Sequence, residues 1–133
     1  MFTSDSQNVI YIKRYCAEIE STIEHFGRNF NVFACDIKYQ NSACMSLIKI
    51  GIAVRKLSLA FVAEHANIGW QNYDMLSYVL ANKFEEINKE VLFKLITVDI
   101  PRLFLFCKQF IVFEQMKKMK VSKIRDIHVF QLN

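Results

Sequence analysis

A chain of 133 residues has the length of one domain and buries a core without metal or disulfide support. Hydrophobic residues make up 53%, with 12 Phe against 3 Gly and 1 Pro, which excludes a disordered chain and a many-turned β-sandwich. The formal charge of +4 is mild, and much of it sits in Lys117, Lys118, Lys120, Lys123 and Arg125, a basic extension over residues 117–133.

The N-terminal residues show no basic stretch leading into an apolar run, so the reading is a cytosolic protein without a secretory signal. Ile12, Cys16, Ile19, Ile23 and Phe26 step by four and three, predicting a first helix over residues 5–26 that Gly27 ends in a left-handed cap. Residues 29–39 read as a connector with a short helical turn. Cys44, Leu47, Ile50, Val54 and Leu57 predict a second helix over residues 40–64, with Ala43, Gly51 and Ala53 small enough for a neighbour to approach closely. Residues 65–72, with Gly69 and Trp70, break the period.

Asp74 is read as the cap of a short third helix bearing Leu76, Val79 and Leu80. Residues 82–87 form a polar turn, and Asn88 caps a fourth helix with Val91, Leu92, Leu95 and Ile96. Asp99 is an N-cap type two residues before Pro101, so a fifth helix restarts at residue 100 and runs to about 120 with Leu103, Phe106, Phe110 and Phe113 inward. Nothing alternates with period two. The expected class is all-α, an up-and-down bundle of four to five helices in a single domain over residues 1–133. Val91 to Phe113 is interrupted by Lys94, Asp99, Arg102 and Lys108, which argues against a membrane span.

Familiar chemistry is missing. There is no phosphate loop, no His-Glu-x-x-His and no Gly-x-Ser-x-Gly. Cys16, Cys35, Cys44 and Cys107 lack zinc or redox spacing and read as buried reduced thiols. His25, His65 and His128 stand apart without acidic partners and read as helix-end or surface imidazoles. Glu85 and Glu86 are adjacent on a turn and read as solvated. No metal and no cofactor is called for.

Three stretches nevertheless form a spaced frame. "LIKIGIAVRKLS" (residues 47–58) resembles an Ile-Gly-Glu-Ala segment, with Ile50, Gly51 and Ala53 kept and Ile52 where Glu is usual; "IGW" (residues 68–70) resembles an Ile-Pro-Trp entry. "INKEVLFKLITVDIPRL" (residues 87–103) has Asn88, Phe93 and Asp99-Ile100-Pro101 at matching spacings. In this register residues 10–110 resemble the HepT-like branch of the HEPN domains. These are small all-α proteins that commonly dimerise and often pair with a minimal nucleotidyltransferase in toxin–antitoxin modules.

The resemblance lays the family motif, Arg, four residues, His, one residue, Tyr, on "SYVLANKF", residues 77–84. In active members Arg and His are thought to cut RNA at a cleft across the dimer, and the partner transferase can modify the Tyr with AMP. Here Ser77 stands for Arg, Asn82 for His and Phe84 for Tyr. The implied function is a catalytically degenerate HEPN module, a homodimer whose groove between helices two and three binds a partner through Ser77, Tyr78, Asn82, Lys83 and Phe84, with Trp70 a core anchor. The alternative is an RNA-cleaving toxin using Lys83, Asn82 and Tyr78, although a lysine is mostly protonated near pH 7 and a poor base. A third reading is RNA binding through the basic residues from Lys117 to Arg125, opposed by a plain solvated helix end.

Overall fold

A computed structural model describes the backbone of residues 3–132 and the side chains of residues 3–121, 123 and 125. His128 and the end of the basic extension lie outside the described side chains. The described residues contain helices and no strand. These are α1 (Ser4–Phe26), α2 (Phe30–Cys35), α3 (Ile37–Arg55), α4 (Leu59–Glu64), α5 (Trp70–Asn82), α6 (Lys89–Lys94) and α7 (Ile100–Leu132), with 3-10 turns at Ala66–Ile68 and Phe84–Glu86. The all-α bundle expected from the periodicity is present.

α1 forms where its stripe predicts, opened by Thr3, whose hydroxyl accepts from the Ser6 amide at 3.2 Å. Ile12, Cys16, Ile19 and Ile23 are buried, and Phe26 stacks on Tyr39 with ring centres 4.9 Å apart. Gly27 ends the helix at φ 107° and ψ 147°, a positive-φ conformation but not the left-handed helical cap expected. The connector holds α2, capped by Asn29, and Asp36 caps α3 by accepting from the Lys38 and Tyr39 amides.

The predicted second helix is two helices. The chain turns at Lys56 and restarts at Ser58, whose hydroxyl accepts from the Phe61 amide. The break is tertiary in origin. Asp5 at the start of α1 accepts from the Ser58 amide at 2.8 Å and from its hydroxyl at 2.6 Å, while the Asn8 amide reaches the Lys56 carbonyl at 3.5 Å. These contacts also place the start of α1 beside the end of α3, so the two pack antiparallel.

α5 begins at Trp70 rather than at Asp74, because Gly69 at φ 75°, ψ 45° reverses the chain in the left-handed region. Asp74 therefore lies inside the helix and pairs with Arg55 Nε at 2.8 Å, an exposed bridge of small weight. α5 packs along α3, which lies between it and α1, and α7 covers the other side of α1.

No restart occurs at Asp99. α6 passes through a π-helical turn, Leu95–Asp99, in which the Ile100 amide donates to the Leu95 carbonyl. The wider turn accommodates Pro101, which has no amide proton and whose ring crowds the carbonyl four residues back. α7 then runs to Leu132, past the expected end near residue 120, since residues 121–132 contain neither Gly nor Pro. Leu92, Ile96 and Leu103 are buried as expected, whereas Val91 is 63% and Phe113 56% exposed.

Candidate functional site

Asn82, Lys83 and Phe84 lie at the end of the bundle where α5 finishes and α3 begins. α5 stops at Asn82, and the Lys83 amide donates to the Val79 carbonyl at 2.7 Å. Phe84, half-buried, turns into a cleft of about 360 Å³ whose other walls include Ile37, Gln40, Asn41 and Lys89. Gln40 is buried and spoken for: its amide donates to the Phe33 carbonyl at 2.8 Å and the Ala34 carbonyl at 3.2 Å.

Ser77 is not in that cleft. It is 4% exposed, its hydroxyl donates to the Asp74 carbonyl at 2.7 Å, and it faces α3 at Gly51. A Cβ at Gly51 would land on the Cβ and Oγ of Ser77 and 2.8 Å from the Tyr73 carbonyl. The close approach expected of Gly51 thus has Ser77 as its partner. A guanidinium at position 77 would press directly on α3.

Tyr78 and Asn82 lie on the opposite, outer face of α5 with Gln71 and Met75, at the spacing of three and four residues that stacks side chains along one helix face. All four are exposed, Met75 at 67% and Tyr78 at 59%. The Asn82 side-chain amide donates back to the Tyr78 carbonyl at 2.9 Å, which holds it along its own helix. Lys83 is exposed beside it. Of the five residues expected to act together, Tyr78, Asn82, Lys83 and Phe84 reach the surface at this end, and Ser77 lies beneath.

The remaining reactive groups are held elsewhere. His65 packs among Phe61, Phe106 and Phe110 with ring centres 4.6, 5.1 and 5.9 Å away, and its carbonyl accepts from Trp70 Nε1 at 3.0 Å. It ends α4, as expected of a helix-end histidine, and its ring joins an aromatic cluster. Trp70, 3% exposed, anchors that cluster as expected. The signal for it was present in the aromatic residues of α4 and α7, but their spacing on separate helices does not show that they meet.

Cys16, Cys44 and Cys107 are buried, while Cys35 is exposed, correcting the expectation of four buried thiols. Cys35 ends the short α2, where a side chain can face solvent. Burial pushes the Cys44 and Cys107 thiols up to about 12, and raises Cys16 with help from Cys107 and Glu20, so none is a nucleophile at neutral pH. Tyr73 is held neutral by burial first and by Asp99 second. Glu85 and Glu86 are exposed, and no three metal-ligating side chains gather among the described residues. No described helix is long and apolar enough to cross a membrane.

Neither a curated protein nor a solved structure matches the chain. The family described as ribonuclease HepT-like matches residues 12–110, a span running from α1 into α7 and including the frame of Gly51, Trp70 and Pro101 together with the end of α5. The helical bundle and this match over most of the chain agree, and the protein belongs to the HepT-like family.

Proposed function

We propose that this chain is a HepT-like HEPN domain emptied of catalysis and acting as a binding module, a cytoplasmic homodimer whose cleft is bordered by the outer face of α5 and closes at Asn82, Lys83 and Phe84. One observation carries the reading. Ser77 has no charge to hold phosphate and is turned into the bundle, Asn82 has no titratable nitrogen, and Phe84 has no hydroxyl to accept a nucleotide. RNA cleavage of the family type needs a permanent positive fork and a group that moves a proton near neutral pH. His65 precedes α5, whose 13 residues separate it from Asn82 by roughly 18 Å.

The exposed Met75 and Tyr78 beside Asn82 offer the apolar surface that a second copy would cover, which supports a dimer across α5. A protein or nucleotide-bearing partner, such as a minimal nucleotidyltransferase of a toxin–antitoxin pair, then meets the cleft at Phe84. The alternative, an RNase using Lys83, Asn82 and Tyr78, draws on the same exposed face.

The test is an RNA cleavage assay joined to sedimentation. The natural chain is expected to leave RNA intact, to sediment as a dimer, and to become monomeric with Met75→Glu and Tyr78→Glu together. Asn82→His with Phe84→Tyr is assayed with and without Ser77→Arg, since that third change must displace α3. Cleavage by the natural chain that vanishes with Lys83→Ala would establish the alternative and end the non-catalytic reading.

A further inference from the structure

Helix α7 has two apolar faces, and the bundle covers one. Ile100, Leu103, Phe104, Cys107 and Ile111 are buried, and no described residue after Ile111 is. Phe110 meets Phe61 of α4 with ring centres 5.2 Å apart, level with the bundle end where Asp5 holds Ser58. The turns that follow therefore run past that end. On the side away from the core, Leu105, Val112, Met116 and Met119 are 53%, 53%, 60% and 61% exposed. With Gln109 and Lys123 they recur at alternating intervals of four and three, the spacing of a coiled-coil seam. Two clefts, of about 320 and 580 Å³, lie along this strip and share Phe113 and Met116.

We propose that this seam is the docking site for an acidic amphipathic helix of another protein. The heptad spacing and the methionines, which adapt to a facing surface, call for a helix. The charge calls for an acidic one. Residues 100–133 hold 7 basic and 2 acidic side chains, so this end carries +5 and the other 99 residues together −1. Lys123 stands in the seam itself, and Lys108 and Lys120 flank it at the positions that select a partner by charge.

A second copy would bring +5 against +5 and, in parallel register, set Lys123 against Lys123. An anionic bilayer needs an apolar face clear of charge, which Lys120 and Lys123 interrupt. RNA would satisfy the lysines but give Val112, Met116 and Met119 no partner, since they have no ring on which a base stacks. The seam lies at the opposite end of the bundle from Asn82 and Phe84, so it stands or falls independently of the α5 cleft.

The experiment titrates a fluorescent synthetic peptide of about four heptads, with Leu in its seam and Glu at the flanking positions, into the full-length chain. Controls are the same peptide with Lys for Glu and a scrambled peptide of the acidic composition. The acidic heptad peptide is expected to bind, to weaken with salt, and to bind at least tenfold more weakly to the Met116→Asp, Met119→Asp variant, whose exposed substitutions leave the thermal melt unchanged. The Lys peptide and the scrambled peptide are expected not to bind. Equal binding of the scrambled peptide, or no binding of the acidic one, overturns the proposal. So does sedimentation in which the same variant abolishes self-association instead, or binding of phosphatidylserine vesicles or RNA through Met116 and Met119 by a chain that ignores the peptide.

Discussion

Gly51 and Ser77 meet where α3 packs along α5, and the contact leaves no room for even one methyl group. Gly51→Ala is expected to cost about 1–3 kcal/mol through overpacking, read as a lower urea midpoint, because the new Cβ must displace Ser77 or the α5 backbone. Ser77→Ala is expected to stay within about 1 kcal/mol, since it removes one hydrogen bond and strands no buried donor. The pair shows how helix packing settles a side chain: Ser77 is small and bonded to its own helix, a residue that fits against glycine. Cysteine reactivity divides the same way. In the folded protein a thiol-specific disulfide reagent is expected to label Cys35 alone, with the other three reacting only in denaturant. The buried thiols also set a pH trend. Unfolded thiols ionise near their ordinary 9.0 while folded Cys44 and Cys107 keep their protons to about 12, so the unfolded state binds fewer protons and stability falls as pH rises from 9 toward 12.

Elements end where tertiary contacts tell them to. The chain leaves α3 and restarts in α4 because Asp5, some fifty residues earlier, supplies both oxygens to Ser58. Asp5→Ala is expected to lower stability by about 1–2 kcal/mol, the loss of a charged acceptor at a helix start. Ser58→Ala added to Asp5→Ala should still cost about 1 kcal/mol, because it also removes the α4 cap that the Ser58 hydroxyl gives the Phe61 amide, while the hydroxyl bond to Asp5 is lost only once, a coupling that a double-mutant cycle in urea measures directly. In the sequence Asp5 looks like an ordinary acidic residue in a first turn, and Ser58 like a polar position near the end of a long stripe. The helical period continues through Leu57 to Phe61, so periodicity alone reads straight across the break. Pro101 deceived in the opposite sense, signalling a restart where the chain widens into a π turn and continues.

The whole molecule is charged unevenly, near neutral in the bundle and strongly basic along the last helix. That end does little for the core. A chain ending at Gln115 is expected to melt within about 4 °C of the full chain, roughly the shift that 1 kcal/mol produces in a domain this size, because every buried residue described in α7 lies at or before Ile111. A larger fall would mean that the distal turns pack on the bundle.

Helix content, the inward stripes of α1 and α3, the small residues of α3 and the frame around Trp70 and Pro101 follow from the sequence, because burying apolar side chains imposes a 3.6-residue period that can be read locally. The third helix was expected to give way to a polar turn at residue 82, and α5 ends at Asn82. What only the tertiary structure decided is who faces whom: that Ser77 points at Gly51 while Tyr78 points outward, that His65 lies in an aromatic cluster, that Cys35 is exposed, and that no described residue of α7 after Ile111 is buried. Each depends on a contact between residues far apart in sequence, and neither residue carries a mark of its partner in its own neighbourhood.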